Sequence, residues 1–533
     1  MCGILGHFSI NEISSVMITK LLSYFKEIEK RGPDDETNYI SDNLLLAFHR
    51  LSINGMKPED GQPIIKDGCI VICNGEIYNS RLLAEKYDLD IKTDSDCECI
   101  PLLYQKFGFK IMVQMLEGVF AIALYDIRHG LLFLARDPVG VRPLFLVATE
   151  ESVTFASEAK AIPFMGNEKL SPIVQINPGC YFVITAQSKI SIVSMKYIDL
   201  YNTEYVNHNY ALACTNIREL LTHAVHTRCL SSDRPVGAFL SGGLDSSIVA
   251  MLAKQVLPEL RTFSIGLKDS KDLVYARIAA EAINSKHTEI YYNIEDGLAL
   301  VPELCRILET CDVTTIRASI PMYILSKYIK ENTDIVVLLS GEGADEVFSG
   351  YLYNHSAPSS FDLRFDAEIR VSQLPWYDVL RADRTTAHNS LEIRVPFLCK
   401  NIVKYAFSIN PDFHNPRINK IEKKILRDAF CEGNDKWQVI VSRPKEAFSD
   451  GVGYSWKQGI TDWAEARVSD DELEQNGYTQ PHPKTKEAYL YRKYYEMYYP
   501  CTHYVPEYWM PSWSECGNDP SATVLNIHKE LID

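Results

Sequence analysis

Apolar residues along this chain fall first into short runs that predict strands and later into alternating strand and helix patterns. Leu44 to Phe48 and Ile70 to Cys73 are apolar runs of strand length. Ile176 to Tyr201 alternates apolar and polar residues around a Pro178-Gly179 turn, which predicts closing strands. Asn202 to Asn209 reads as a linker. Beyond it Leu212, Ile217, Leu220, Leu221, Ala224 and Val225 recur at helical spacing. Val236 to Leu240 predicts a buried parallel strand, and Ile248-Val249-Ala250-Met251 opens a helix. A second strand is predicted at Arg261 to Gly266, a helix from Leu273 to Asn284, and a third strand at Ile335 to Leu339. Strand alternating with helix predicts a doubly wound parallel sheet that binds ligands at the carboxyl ends of its strands.

Length turns these two patterns into two domains, because 533 residues are too many for one core. The boundary is expected near Tyr205, giving domains 2–205 and 206–533. With 46% hydrophobic and 23% charged residues the composition is that of a soluble globular protein. A formal charge of −16 repels nucleic-acid phosphate, so small-molecule substrates are expected and a nucleic-acid partner is not. The 14 cysteines show no CxxC pair or compact disulfide spacing, which suits reduced thiols in a cytoplasmic protein. MCGILGHFSI is not a basic leader with a long apolar core, no run approaches the roughly 18 apolar residues of a membrane span, and the ending ELID is no lipidation or retention signal. No membrane partner is expected.

Candidate chemistry is densest at Val236 to Ser247, VGAFLSGGLDSS. Gly242 and Gly243 let backbone N–H groups close on a phosphate, the following helix adds its positive end, and Ser241, Ser246 and Ser247 supply hydroxyls. A carboxylate at Asp245 is repulsive beside phosphate unless a divalent cation bridges them, so Mg²⁺ is expected there. No GxxxxGK[ST] occurs, which excludes a P-loop. Ser340-Gly341-Glu342-Gly343-Ala344-Asp345-Glu346 follows the third predicted strand and gathers like charges that call for a metal-nucleotide.

At the other end, a Cys2 freed of Met1 would carry a thiol and an α-amine on one residue, with pKa values near ~8.5 and ~8, so each can exchange a proton with the other near neutral pH. Cys2 alone reads more simply as a small residue starting a strand. Arg50, at a strand end, can meet a carboxylate or form a surface ion pair. Asn74-Gly75 can form an oxyanion hole or a turn. Glu76 and Asp96 can hold an ammonium group, and Asp96 can instead cap a helix.

Taken together, CGI, RGPD (Arg31 to Asp34), HRLS (His49 to Ser52), NGEIYN (Asn74 to Asn79), SDCE (Ser95 to Glu98), LEGVFA (Leu116 to Ala121) and RDPVGVRPL (Arg136 to Leu144) resemble the class II glutamine amidotransferases. The resemblance implies an αββα sandwich of the N-terminal-nucleophile hydrolase type. It implies a glutamyl thioester on Cys2, an oxyanion hole from Asn74 and Gly75, Arg50 on the glutamine α-carboxylate, and Glu76 and Asp96 on its α-amino group. Backbone groups of Leu51, Ser52, Ile53 and Asn54 would line the pocket. Glu158-Ala159-Lys160 is expected to structure the edge of this domain.

The string SGGLDSS resembles the pyrophosphate loop of the ATP pyrophosphatases. LLSGEGADEVFSGY, TTIRAS (Thr314 to Ser319), DVLRADRTTAHNSLEIRVPFL (Asp378 to Leu398), RPKEAFSDGVG (Arg443 to Gly453) and the ending EYWMPSW with DPSATVL resemble the glutamine-hydrolysing asparagine synthetases, of the eukaryotic kind. This implies ATP contacts at Leu240, Ile265, Ser340 and Gly341, pyrophosphate held from Ser241 to Ser246, and Mg²⁺ ligands at Asp245 and Asp345. Glu342 would steer formation of β-aspartyl-AMP and deprotonate ammonia. Asp378 and Arg381 would orient aspartate, Lys445 would stabilise phosphate charge, and Arg317 is a further phosphate candidate. Ala344 departs from the serine common in the family. The family also implies an internal ammonia tunnel and a homodimer. A β-lactam synthetase-like cyclase lacks the cysteine nucleophile, and a non-catalytic sensor would have lost Cys2, Asn74, Asp245 or Glu342. His223 and His226 lack a third ligand, and the tyrosine-rich stretch Tyr489 to Tyr508 reads as a packed helix and tail.

Overall fold

The computed structural model describes residues 1–163, 172–445, 454–500, 505–513 and 520. Most of RPKEAFSDGVG, from residue 446 on, and nearly all of DPSATVL lie outside them. Seventeen strands form three sheets among the described residues. The first sheet contains β1 (Gly3–Ser9), β2 (Asp35–Ile40), β3 (Leu44–Arg50), β8 (Phe145–Ala148), β9 (Ser152–Ala156) and β10 (Val174–Gln175), in the order β10-β8-β9-β1-β3-β2. The second contains β4 (Ile64–Lys66), β5 (Cys69–Ile77), β6 (Gly118–Asp126), β7 (Leu131–Arg136), β11 (Cys180–Ala186) and β12 (Ile190–Lys196), in the order β12-β11-β7-β6-β5-β4. Every pairing in both sheets is antiparallel.

The apolar runs are continuous because these sheets are covered on both faces. Leu44, Leu46 and Phe48 of β3 meet Ile70, Ile72, Ala121 and Leu134 of the second sheet. Leu45 and Ala47 point the other way, onto Leu21 and Phe25 of helix Ser15–Phe25. Val71 and Cys73 likewise turn from the inner layer onto Ile100, Leu103 and Met112 of helices Cys99–Phe107 and Phe109–Met115. Period-two alternation therefore puts an apolar residue on every side, and four layers result: helix, sheet, sheet, helix.

The third sheet is parallel throughout: β13 (Val236–Phe239), β14 (Arg261–Gly266), β15 (Lys286–Tyr291), β16 (Val337–Leu339) and β17 (Glu392–Arg394), in the order β15-β14-β13-β16-β17. The order reverses at β13, so the crevice between β13 and β16 is the topological switch point. Helix Tyr210–Leu230 and helix Leu244–Val256 flank β13 in sequence, as the apolar spacing predicts. Two details differ from the sequence reading. The third predicted strand is shorter, starting at Val337, and β15 and β17 were not anticipated. The tyrosine-rich helix Lys486–Tyr498 buries Tyr491 and Tyr495 in the core. Among the described residues no helix is long and apolar enough to cross a membrane, and no three His, Cys, Asp or Glu side chains are gathered to hold a metal by themselves.

The two kinds of sheet meet along a charged, buried seam. Arg31 Nη1 and Nη2 donate to Asp383 Oδ2 and Oδ1 at 2.8 and 3.1 Å, and Nη1 also reaches Glu158 Oε1 at 2.6 Å. Arg384 pairs with the same Glu158 oxygen at 2.9 Å and with Glu309 at 2.8 Å. Burial works against all these charges, yet Arg384, Lys160 and Arg31 hold the Glu158 carboxyl well below the usual range. Met1 is also at the seam, only 1% exposed and clustered with the core around the parallel sheet.

Candidate active sites

At the start of β1 the Cys2 Sγ accepts a hydrogen bond from the Leu51 backbone N–H at 3.5 Å, and Arg31 Nε donates to the Cys2 carbonyl at 3.0 Å. With Met1 in place the α-amine belongs to Met1. Burial pushes that amine down to about 6 and the Cys2 thiol up to about 11, so neither is set for proton exchange.

The Leu51–Asn54 loop, Arg50 and Glu76 gather near this thiol: Leu51 contacts Sγ, Asn54 reaches Glu76, and Arg50 holds the Gly55 carbonyl. Arg50 ends β3 and is buried; its Nη1 and Nη2 donate to the carbonyls of Lys57 and Gly55 at 3.0 and 2.7 Å. Ser52 N donates to Asp34 Oδ2 at 2.8 Å, and Asn54 Nδ2 donates to Glu76 Oε2. Asn74 and Gly75 do not follow the strand as a turn but lie inside β5, opposite Ala121 and Phe120. Gly75 is required there because a Cβ would lie 2.3 Å from the Val119 carbonyl oxygen. On the edge that β5 turns away from β6, Cys73 N donates to Gln62 Oε1 at 2.6 Å and Ile77 N to Asp96 Oδ2 at 2.5 Å. By alternation the Gly75 N–H faces that same edge. Asn74 is fully buried, and neither atom of its side-chain amide has a hydrogen-bond partner, which is costly unless something else completes it.

Acid gathers around the pocket. Burial, then Glu392 and Asp96, push the Glu76 carboxyl well above its ordinary value, against the pull of Arg394 at 3.1 Å. Burial raises Asp96 to about 6 despite the Ile77 N–H. Carboxylates arranged this way gain from a cation between them. Glu392 and Arg394 come from β17, and sequence reasoning gave them no role.

At the switch point lies a cleft of about 240 Å³. Every residue expected at the nucleotide, aspartate and metal positions lines it except Gly242 and Ser247, whose hydroxyl is buried within helix Leu244–Val256 and does not face the cleft. Gly242 is beneath the surface: its φ is +72°, and a Cβ would lie 2.3 Å from Tyr275 and Ala276 backbone atoms. The loop is braced by Ser246 Oγ, which accepts from Ser241 N at 3.2 Å, and by Ser241 Oγ, which accepts from Gly243 N at 3.3 Å. Ile265, at the end of β14, is an apolar wall. Ala344 is buried against the core.

Lys423 Nζ lies 2.5 Å from both Asp245 Oδ2 and Asp345 Oδ1, and Lys445 Nζ lies 2.5 Å from Asp345 Oδ2. Burial would raise the Asp345 carboxyl, but Lys423 and Lys445 outweigh it and hold Asp345 far below its ordinary value. Asp245 Oδ1 is buried without a hydrogen-bond partner. Two adjoining carboxylates with an orphaned oxygen fit Mg²⁺, which binds through one or two carboxylates together with substrate phosphates. Arg381 bridges Glu342 at 2.8 Å and Asp378 at 2.5 Å, and burial, opposed by Arg381, leaves Glu342 raised. Arg317 is engaged by Glu487, with Nε to Oε1 at 2.7 Å and Nη2 to Oε2 at 2.5 Å. Lys423, in IEKKILRD, was given no role in the sequence reading.

Residues 1–185 match the family model described as a glutamine amidotransferase domain, and residues 216–376 and 367–502 match that described as asparagine synthase. The glutamine-hydrolyzing asparagine synthetase of Gallus gallus is 40% identical over 572 residues, covering 100% of both chains. That of Bos taurus is 39% identical over 99% of both, and that of Homo sapiens 38% over 100% of both. The glutamine phosphoribosylpyrophosphate amidotransferase of B. subtilis superposes with a TM-score of 0.31 at 17% identity, covering 51% of this chain and 67% of its own, too remote to support an argument. The chain belongs to the glutamine-hydrolysing asparagine synthetase family.

Proposed function

We propose that this chain makes L-asparagine from L-aspartate and ATP with nitrogen taken from L-glutamine, releasing L-glutamate, AMP and pyrophosphate, and that domains 2–205 and 206–533 divide the work. The observation that carries this reading is the pairing, within one chain, of a Cys2 thiol held by the Leu51 loop and a buried, orphaned Asn74 amide with a serine-braced phosphate loop facing two carboxylates.

In the first half-reaction the Cys2 thiolate attacks the glutamine amide carbon while its own α-amine, exposed by loss of Met1, takes the thiol proton. The negative oxygen of the tetrahedral species would receive hydrogen bonds from Asn74 Nδ2 and the Gly75 N–H, a role supported by the unpartnered Asn74 amide and the Gly75 N–H turned from β6. Arg50 takes the α-carboxylate, and Glu76 with Asp96 the ammonium. The Cys2 ammonium so formed gives that proton to the amide nitrogen, which leaves as ammonia, and water then releases glutamate from the thioester and restores the thiol. Since burial pushes the Asp96 carboxyl up to about 6, glutamine binding should weaken as pH falls through that value, because the protonated acid no longer attracts an ammonium. Glutaminase KM measured from pH 8 to 5 is expected to rise below about pH 6 in wild type and much less in Asp96→Asn.

In the second half-reaction a β-carboxylate oxygen of aspartate attacks the α-phosphorus of ATP, and pyrophosphate leaves. Ammonia then attacks the acyl carbon and expels AMP. Leu240, Ile265, Ser340 and Gly341 seat the nucleotide, and Ser241, Gly242, Gly243 and Ser246 hold the pyrophosphate. Asp378 and Arg381 orient aspartate, and Arg381 holds Glu342 ready to accept a proton from the attacking nitrogen. Asp245 and Asp345 would hold Mg²⁺, which supplies positive charge against the phosphates; Lys445, and with less support Arg317, add cationic side chains. Cytoplasmic location and a homodimer belong to the same proposal; the free cysteines suit a reducing compartment.

With nitrogen-15 in the glutamine amide, mass spectrometry should find the label in asparagine in step with AMP. Label confined to free ammonia, or pyrophosphate release indifferent to aspartate, rejects the proposal.

A further inference from the structure

The loop carrying Asn54 is gripped from the other half of the chain. The Asp233 backbone N–H donates to Ile53 O at 3.0 Å, and Asp233 Oδ2 accepts from Gly55 N at 3.0 Å. One residue thus holds the peptide groups on both sides of Asn54, whose amide reaches Glu76. The Gly55 carbonyl is the one that Arg50 Nη2 holds, so the same grip fixes the guanidinium. Beneath it Leu51 and Ile53 pack on Val336 and Val337, with Cys2 and Val236 alongside. Asp233 itself stands between helix Tyr210–Leu230 and β13, the strand that runs directly into the phosphate loop. Arg394 Nη1 donates to Ser231 O at 3.0 Å and ties this connection to β17.

We infer that Asp233 is a positioning residue for glutamine: the synthetase half, through this one side chain, sets the register of Asn54 and Arg50 and so shapes the pocket that feeds it. The inference rests on the glutamine pocket proposed above. Asp233 touches neither substrate nor the reacting atoms, and its removal should act on binding rather than on the thioester chemistry.

The test compares Asp233→Ala and Asp233→Asn in the full-length protein. Glutamate release from glutamine alone is measured first, then asparagine synthesis from ammonium chloride. Alanine removes the acceptor for the Gly55 N–H, and glutamine KM should rise about tenfold with kcat within about twofold, the low end for a lost hydrogen bond to a charged group that remains exposed. Asparagine keeps both the acceptor oxygen and the backbone N–H, so KM should return to within about threefold of wild type. Ammonia-dependent synthesis should be unchanged in both. An unaltered glutamine KM in Asp233→Ala, no recovery in Asp233→Asn, or a parallel loss of ammonia-dependent synthesis overturns the inference. Failure of the wild-type protein to release glutamate would instead reject the pocket itself.

Discussion

Cys2→Ala is expected to lower glutamine-dependent asparagine synthesis by at least about 10⁴-fold, the scale on which removal of a covalent nucleophile acts, while synthesis from ammonium chloride continues at the wild-type rate. The separation follows from geometry. Sγ contacts the Leu51 loop of the sandwich, whereas the phosphate cleft is lined by side chains of the carboxy-terminal half. The structure adds a second readout. With Met1 attached, burial sets the α-amine at about 6 and the thiol at about 11, and the amine is on the wrong residue. Protein that retains Met1 should therefore behave like Cys2→Ala, and the fraction of trimmed chains seen by intact mass spectrometry should scale with glutaminase activity. Equal loss of both nitrogen sources in Cys2→Ala would refute a two-site enzyme.

Asp383→Ala should cost about 3 kcal/mol of stability, the low end of the penalty for breaking a buried ion pair, because Arg31 keeps Glu158 at 2.6 Å. Arg31 would lose a two-pronged partner at 2.8 and 3.1 Å, and Arg142 a weaker one at 3.7 Å. Replacing both members, as Arg31→Met with Asp383→Leu, removes the under-paired guanidinium, while Glu158 keeps Arg384 and Lys160, and should recover part of that loss. Denaturant unfolding of the two singles and the double gives the coupling; additive losses would show that the pair contributes nothing. Acid should spare this seam longer than the glutamine pocket. Glu158 has a depressed folded pKa, so its contribution is complete above an unfolded value near ~4.3 and fades only as pH falls toward the much lower folded value.

What could be seen in the sequence follows physical lines. β14 was legible end to end because its residues are nearly all buried, and β3 because both of its faces meet apolar layers. β5 was cut short at Cys73 since Asn74 and Glu76 are polar residues inside a strand, buried for chemistry and not for packing. β17 was invisible for a related reason: Glu392-Ile393-Arg394 is short, and two of its three side chains carry buried ion pairs. Cys2, Arg50 and the SGG loop stood out through motif and position. Lys423, Arg394 and Asp233 did not, because a lone charge looks solvated until folding brings its partner from a distant part of the chain.

The Met1 side chain is buried in the core around the parallel sheet, and this gives its proposed excision a mechanical meaning. Trimming deletes a buried side chain at the junction of the two halves, and a void of that kind typically weakens a protein by about 2–5 kcal/mol. Maturation would thus exchange packing for an opening beside the newly bared amine, and the untrimmed chain should outlast the working enzyme in a thermal melt.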